Sequence, residues 1–285
     1  MRVHEQLSAQ YEGLLGDTMA RDYSDKLSKF NAFAQPELRG LMKNLNLKRG
    51  MHILDAGCGT GEALDWLFSE VVPSELVAGV DLAASHVAAA KLQVSPEIQI
   101  HHANLFDALF EPASFDLIWC VNTINHLADP VDGVLHLATL LRPGGRVSLG
   151  QSSLLPDMYF AWDARLERVT NDAVRRYYQD RYHINERDLK AVRALVGTLR
   201  AAHLRNISVR TVIIERLAPL DEATESYLRE TIFRDTWGER LRPYLAGDDY
   251  QELARLCNPE HADYALRRRD FHFLQSFTLA TGERS

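Results

Sequence analysis

The chain has 285 residues, 46% hydrophobic and 25% charged, with a formal net charge of -7. That suits one large globular core, or a core plus an embedded cap, and the negative balance does not favour a nucleic-acid partner, so none is expected. Cys58, Cys120 and Cys257 are too scattered for a metal cluster and too few for a disulfide framework, no stretch approaches the ~20 apolar residues of a membrane span, and residues 1–10 lack a signal-peptide core; the expectation is a cytoplasmic protein without metal or membrane partner.

In chain order, Tyr11, Leu14, Leu15, Met19, Tyr23 and Leu27 have helical spacing. A second short helix is expected after Pro36, burying Leu38, Leu41, Met42 and Leu45. From Met51 the pattern alternates. Strands are predicted at 51–55, 76–81, 98–101, 115–121 and 146–151. Helices are predicted between them at 62–72, 85–91 and 131–141. The run 115–121 is nearly all apolar, as a parallel strand buried on both faces should be. Such alternation predicts a parallel sheet with helices on both faces. Beyond Ser153 the pattern changes to an aromatic, arginine-rich segment (157–178), a helix (185–202), a β-branched strand (207–214), a helical insert (218–270) and a closing strand (271–280).

Gly57, Gly59 and Gly61 lie between a strand and a helix. Glycine admits backbone angles closed to other residues and lets a ligand approach the main chain, and the following helix N-terminus offers N–H groups. Asp55 ends the strand just before this loop. A carboxylate there suits a ligand ammonium, or loop N–H groups, better than a pyrophosphate. Glu62 stands where the dinucleotide fingerprint wants Gly or Ala, and the Gly-Lys-Ser/Thr ending of a phosphate-gripping loop is absent. Asp81 ends the second strand, where a carboxylate can accept both hydroxyls of a ribose; the alternative is a helix cap.

Leu54-Asp-Ala-Gly-Cys-Gly-Thr-Gly, Val80-Asp81, Ser114-Phe-Asp-Leu-Ile and Leu141-Arg-Pro-Gly-Gly-Arg together resemble the successive motifs of the class I S-adenosylmethionine-dependent methyltransferases, small-molecule type. The resemblance is close over 50–152 and looser beyond. It implies an α/β Rossmann-like fold with a seven-stranded, mostly parallel sheet and an antiparallel last strand. It also implies an N-terminal helical lid (1–50) on an α/β domain (51–285) with caps at 155–184 and 218–270.

The same resemblance implies roles for individual residues. Asp55, Gly57, Cys58, Gly59 and Gly61 would wall the methionine moiety of the cofactor, S-adenosyl-L-methionine. Asp81 would hold the ribose, Leu82 would pack on the adenine, and Asn104 and Leu105 would lie beside it. Asn104 departs from the usual Asp. Cys120 and Val121 would meet the cofactor from the fourth strand, with Cys120 a packing residue rather than a nucleophile. Tyr23 and Tyr11 are lid candidates for the cofactor and the acceptor, or else ordinary helix packing.

Methyl transfer needs alignment and exclusion of water, and a base only where the acceptor must lose a proton. His126 lies in the loop after the fourth strand and is the first candidate for such a base; the alternative is a loop residue held by a backbone hydrogen bond. His183 is the second candidate. Asn122, Tyr159, Trp162 and Tyr178 are candidates for acceptor contact. Trp237, Arg240, Arg242 and Tyr244 would complete the pocket or form a dimer surface, so monomer and homodimer stay open. The expected activity is transfer of a methyl group to an oxygen, nitrogen or carbon of a small organic molecule, in natural-product or other secondary metabolism. An RNA or protein methyltransferase and a non-catalytic cofactor-binding protein are the alternatives.

Overall fold

The computed structural model describes residues 24–107, 109–152, 158–160, 163–182 and 191–285. Strands β1 (Ile53–Ala56), β2 (Val77–Asp81), β3 (Gln99–His102), β4 (Phe115–Val121) and β5 (Leu141–Ser152) pair in parallel, in the order β3-β2-β1-β4-β5. Helices α1 (Ser24–Lys43), α2 (Glu62–Val71), α3 (Ala84–Gln93) and α4 (Pro130–Leu140) surround them. The long β8 (His272–Glu283) runs antiparallel beside β5, and β7 (Arg205–Leu217) runs antiparallel on its far side. The antiparallel last strand is therefore present. The expected seven strands are joined by a short eighth, β6 (Met158–Phe160), which pairs with β8 beyond the end of β5. The cap expected at 155–184 thus contains a strand that extends the sheet before it forms α5 (Ala164–Tyr182). Helix α6 (Ala191–Ala201) leads into β7.

β1 and β4 are buried because apolar clusters lie on both faces of the sheet. Ile53, Leu64, Leu67, Leu117 and Trp119 belong to one cluster; Leu54, Ile118, Val134, Leu137 and Leu149 belong to the other. Two of the motif segments act at the edge of the sheet away from the glycine loop. Arg142 donates to Asp116 Oδ2 at 2.8 Å, and the same oxygen accepts from the His52 N–H at 2.8 Å. That network ties β1, β4 and β5 together.

The break expected at Pro36 does not occur. Helix α1 runs through it from Ser24 to Lys43. Proline removes an N–H and crowds the preceding turn, but Phe30, Phe33, Ala34, Leu38, Leu41 and Met42 are all buried along one face of α1, and this burial outweighs the local cost. Arg216 of β7 compensates further. Its guanidinium donates to the Phe33 carbonyl in the turn before Pro36, pairs with Glu37 at 2.7 and 2.9 Å, and lies 4.8 Å from the Phe33 ring centroid.

The insert between β7 and β8 contains α7 (Glu222–Ser226), a π-helical run (Tyr227–Thr236), a 3-10 turn (Glu239–Tyr244) and α8 (Gly247–Cys257). It is seated on α1. Tyr227 stacks on Phe33 with centroids 4.3 Å apart, and Lys29 pairs with Glu230 at 2.8 Å.

Candidate functional site

The strand order turns back between β1 and β4, so their carboxyl ends flank a crevice, the usual ligand position in open α/β sheets. Asp55 stands in register with Gly79 on one side and Trp119 on the other. The chain then turns sharply: the N–H groups of Gly57 and Cys58 both donate to the Val80 carbonyl, at 2.8 and 3.0 Å. Gly57 and Gly61 have φ of 81° and 92°. A Cβ on Gly57 would lie 2.2 Å from Thr123 Oγ1, and one on Gly61 would lie 2.7 Å from Val94. Both conformation and space therefore demand glycine there.

Asp81 holds this loop. Its carboxylate accepts from the Gly59 N–H and the Ala83 N–H, both at 2.9 Å, and His86 Nδ1 lies 3.1 Å from Oδ1. The ribose and cap readings are thus compatible, since the oxygens that organise the loop keep further lone pairs for ligand hydroxyls. His86, buried behind Asp81, was not singled out in the sequence.

Asp55 is 3% exposed and accepts no hydrogen bond from the described residues. Burial, then the charges of Asp81 and Glu62, push its carboxyl well above the usual range. Glu62 was read only as a departure from the dinucleotide fingerprint, yet it faces the same place. Its Oε2 accepts from Thr60 Oγ1 at 2.7 Å and from Asn31 Nδ2 at 2.9 Å, while Oε1 is buried without a hydrogen bond. Among the described residues no lysine or arginine pairs with Asp55, Glu62 or Asp81. Asn31 carried no sequence signal, because only the packing of α1 brings it to the loop. Leu27, one turn earlier, comes within 3.1 Å of where a Gly59 Cβ would lie.

Of the other expected residues, Cys58 and Cys120 are buried, and burial raises both thiols. They are thus neutral packing groups. Val121 packs partly buried against the core, and Leu82 and Leu105 are half-buried. The Asn104 side-chain oxygen accepts from the Phe106 N–H at 2.9 Å, which closes its own turn. Asn122 has φ 54°, and its side-chain oxygen accepts from the Ser152 N–H and Oγ at 3.0 and 3.1 Å. That side chain therefore joins the ends of β4 and β5.

His126 lies in a 3-10 turn, Ile124–His126, just beyond. Burial pushes its ring down to about 4, against the opposing effect of a hydrogen bond to the Asn122 backbone. Tyr178 is half-buried on α5, against Tyr177 and the core. Tyr159 falls on β6, in register with Leu274. Tyr11, Tyr23, Trp162 and His183 lie outside the described residues.

The group Trp237, Arg240, Arg242 and Tyr244 is largely spent within the cap. Trp237 is buried and stacks on Phe233; Arg240 lies 5.2 Å from the Tyr177 ring centroid, and Arg242 lies 5.4 Å from that of Tyr250. Beside them a separate cavity of about 700 Å³ is lined by Phe233, Trp237, Tyr250, Leu253 and Cys257, with Glu230 at its wall. Among the described residues no cluster could hold a metal ion, and no helix is long and apolar enough to cross a membrane.

Comparison with known proteins agrees with this geometry. The family model described as a methyltransferase domain matches residues 54–149. The 27-O-demethylrifamycin SV methyltransferase of Amycolatopsis mediterranei is 30% identical over 117 residues, 39% of this chain and 42% of that protein. The ubiquinone biosynthesis O-methyltransferase of Paracidovorax citrulli is 32% identical over 137 residues, 45% of this chain and 56% of that one. The chain spans less than half the length of the first curated relatives it matches. Among solved structures, Haemonchus contortus phosphoethanolamine N-methyltransferase 2 in complex with S-adenosyl-L-methionine superposes with a TM-score of 0.51 at 18% identity, over 87% of this chain and 52% of that one. The YcgJ protein of Bacillus subtilis superposes with a TM-score of 0.52, also at 18% identity, over 87% and 98%. Strand order, glycine loop and family model agree: residues 54–149 match the methyltransferase-domain model, and the chain has the Rossmann-like fold of the solved methyltransferase structures.

Proposed function

We propose that this protein binds S-adenosylmethionine in the crevice at the ends of β1, β2 and β4 and methylates a small organic molecule. The observation that carries this reading is the glycine loop held by Asp81, with buried Asp55 and the buried Oε1 of Glu62 beside it and, among the described residues, no lysine or arginine paired to them. The described residues leave Asp55 and Glu62 Oε1 without a donor or counter-charge, and a ligand bearing an ammonium, a sulfonium and ribose hydroxyls supplies both. Asp81 would take the ribose, and Asp55 with the glycine loop would take the amino-acid end.

When bound, S-adenosylmethionine supplies a methyl group already activated for transfer. The chain's own part is to orient and to exclude water. Helix α1 and the insert 218–270, joined through Phe33–Tyr227 and Lys29–Glu230, are suited to roof the crevice as lid and cap. A small-molecule acceptor is supported by the quinone and rifamycin methyltransferases among the relatives. The low ring pKa of His126 supports a loop role over general-base catalysis, because an effective base titrates near working pH.

Calorimetric titration with S-adenosylhomocysteine, followed by detection of S-adenosylhomocysteine release from S-adenosylmethionine across quinol, polyketide and amine acceptors, tests the reading. Binding and acceptor-dependent release are expected. Absence of binding would remove the cofactor assignment; binding without release across the panel would favour a non-catalytic protein.

A further inference from the structure

The two oxygens of Glu62 are treated differently by the fold. Oε2 is held from two directions, by Thr60 of the glycine loop and by Asn31 of α1. Oε1 is buried and accepts nothing. Glu62 opens α2, and a carboxylate in a first turn is often there only for the helix dipole. That role is satisfied by a solvated side chain and gives no reason to bury one oxygen without a donor. A second carboxylate, Asp55, is 3% exposed in the same crevice, accepts nothing from the described residues and is raised partly by the charge of Glu62. Two acids that repel each other, Asp55 without a donor among the described residues and Glu62 with its buried Oε1 without one, are matched by one group with positive charge and several N–H bonds. An alkylammonium has three such bonds on one atom and can bridge two carboxylates.

We propose that Glu62 determines recognition of the ligand's amino-acid end: its inner oxygen shares the ammonium with Asp55, while its outer oxygen, through Asn31, fastens helix α1 over the occupied loop. This rests on the cofactor reading above and adds a residue and a coupling to it. Asn31 lies two positions from Lys29, about 200° around the helix, and Lys29 pairs with Glu230 of the insert at 2.8 Å. Helix α1 therefore touches the glycine loop on one side and the insert on the other. Fastening its Asn31 side fixes both.

Two thioethers separate the outcomes. S-adenosylhomocysteine carries the amino acid, and 5′-methylthioadenosine has the same nucleoside and sulfur without it. Glu62→Gln should weaken S-adenosylhomocysteine about 10-fold or more, the effect of one charge-assisted hydrogen bond, and leave 5′-methylthioadenosine within about twofold. Asn31→Ala, at a half-buried helix position outside the loop, should weaken S-adenosylhomocysteine by a smaller factor, spare 5′-methylthioadenosine and abolish the added amide-exchange protection that S-adenosylhomocysteine confers on α1. Equal weakening of both ligands, or none of either, in Glu62→Gln overturns the proposal and leaves the cofactor reading standing. Wild-type protein that binds neither thioether overturns both.

Discussion

The carboxylates of the glycine crevice and those of the insert are the same chemical groups in opposite circumstances. Glu230, in the insert, sits between Lys29 at 2.8 Å and Arg229 at 2.9 Å, and these cations hold its carboxyl down to about 2. Asp235 is lowered by Arg234 and Lys26 in spite of burial. In the crevice, Asp55 is buried beside two further acids and pushed upward. Within the insert the chain supplies its own counter-charges, so the acids there serve folding. In the crevice no described lysine or arginine pairs with the acids, and a buried charge without a partner is tolerated where a ligand completes it.

The largest test of this contrast is Asp81→Ala. It removes two loop hydrogen bonds together with the ribose acceptor, and cofactor affinity should fall by about 3 kcal/mol, roughly 100-fold, by calorimetry. Unchanged affinity would place the ligand elsewhere.

A second test uses pH. The folded His126 ring titrates at about 4 against an ordinary 6.5, so between those values the unfolded chain binds more protons. Stability from this group is full above pH 6.5 and is lost as pH falls toward 4. His126→Asn should reduce the difference in unfolding free energy between pH 7 and pH 4 by about 2–3 kcal/mol in urea titrations. An unchanged pH profile would mean the ring is solvated and available as a base.

Asp55→Asn and Glu230→Gln sharpen the comparison directly. The raised carboxyl of Asp55 destabilises the fold increasingly as pH rises from the unfolded value near 4 through the folded one. Its neutral replacement should therefore stabilise the ligand-free protein by about 1–2 kcal/mol, read as a higher melting temperature, while weakening ligand binding. Glu230→Gln should lower stability by less than about 1 kcal/mol, since its ion pairs are partly exposed and screened, and weaken ligand binding less than Asp55→Asn does. Shifts of the same sign in both variants would erase the distinction.

The parallel half of the molecule was legible in the sequence because its information is local. A strand buried on both faces is a continuous apolar run, and a glycine turn is a run of glycines, so β1, β2, β4 and the loop at 57–61 fall where expected. The long α1 was misread at Pro36, because a local rule about proline does not know of the six apolar residues the helix buries or of Arg216 filling the disturbed turn. β6 went unforeseen because a three-residue strand exists only through the β8 edge beside it.

The order of strands, helices and the glycine turn along residues 51–152 thus followed from amino-acid pattern, since glycine, proline and apolar periodicity act on the backbone within a few residues. Which polar groups meet was decided by tertiary packing. Asn31 reaches Glu62 across 31 positions, His86 stands behind Asp81, and the Asn122 side chain turns to Ser152. Hydrogen bonds of about 3 Å between distant segments are set by how helices and strands pack, and no spacing in the sequence records them.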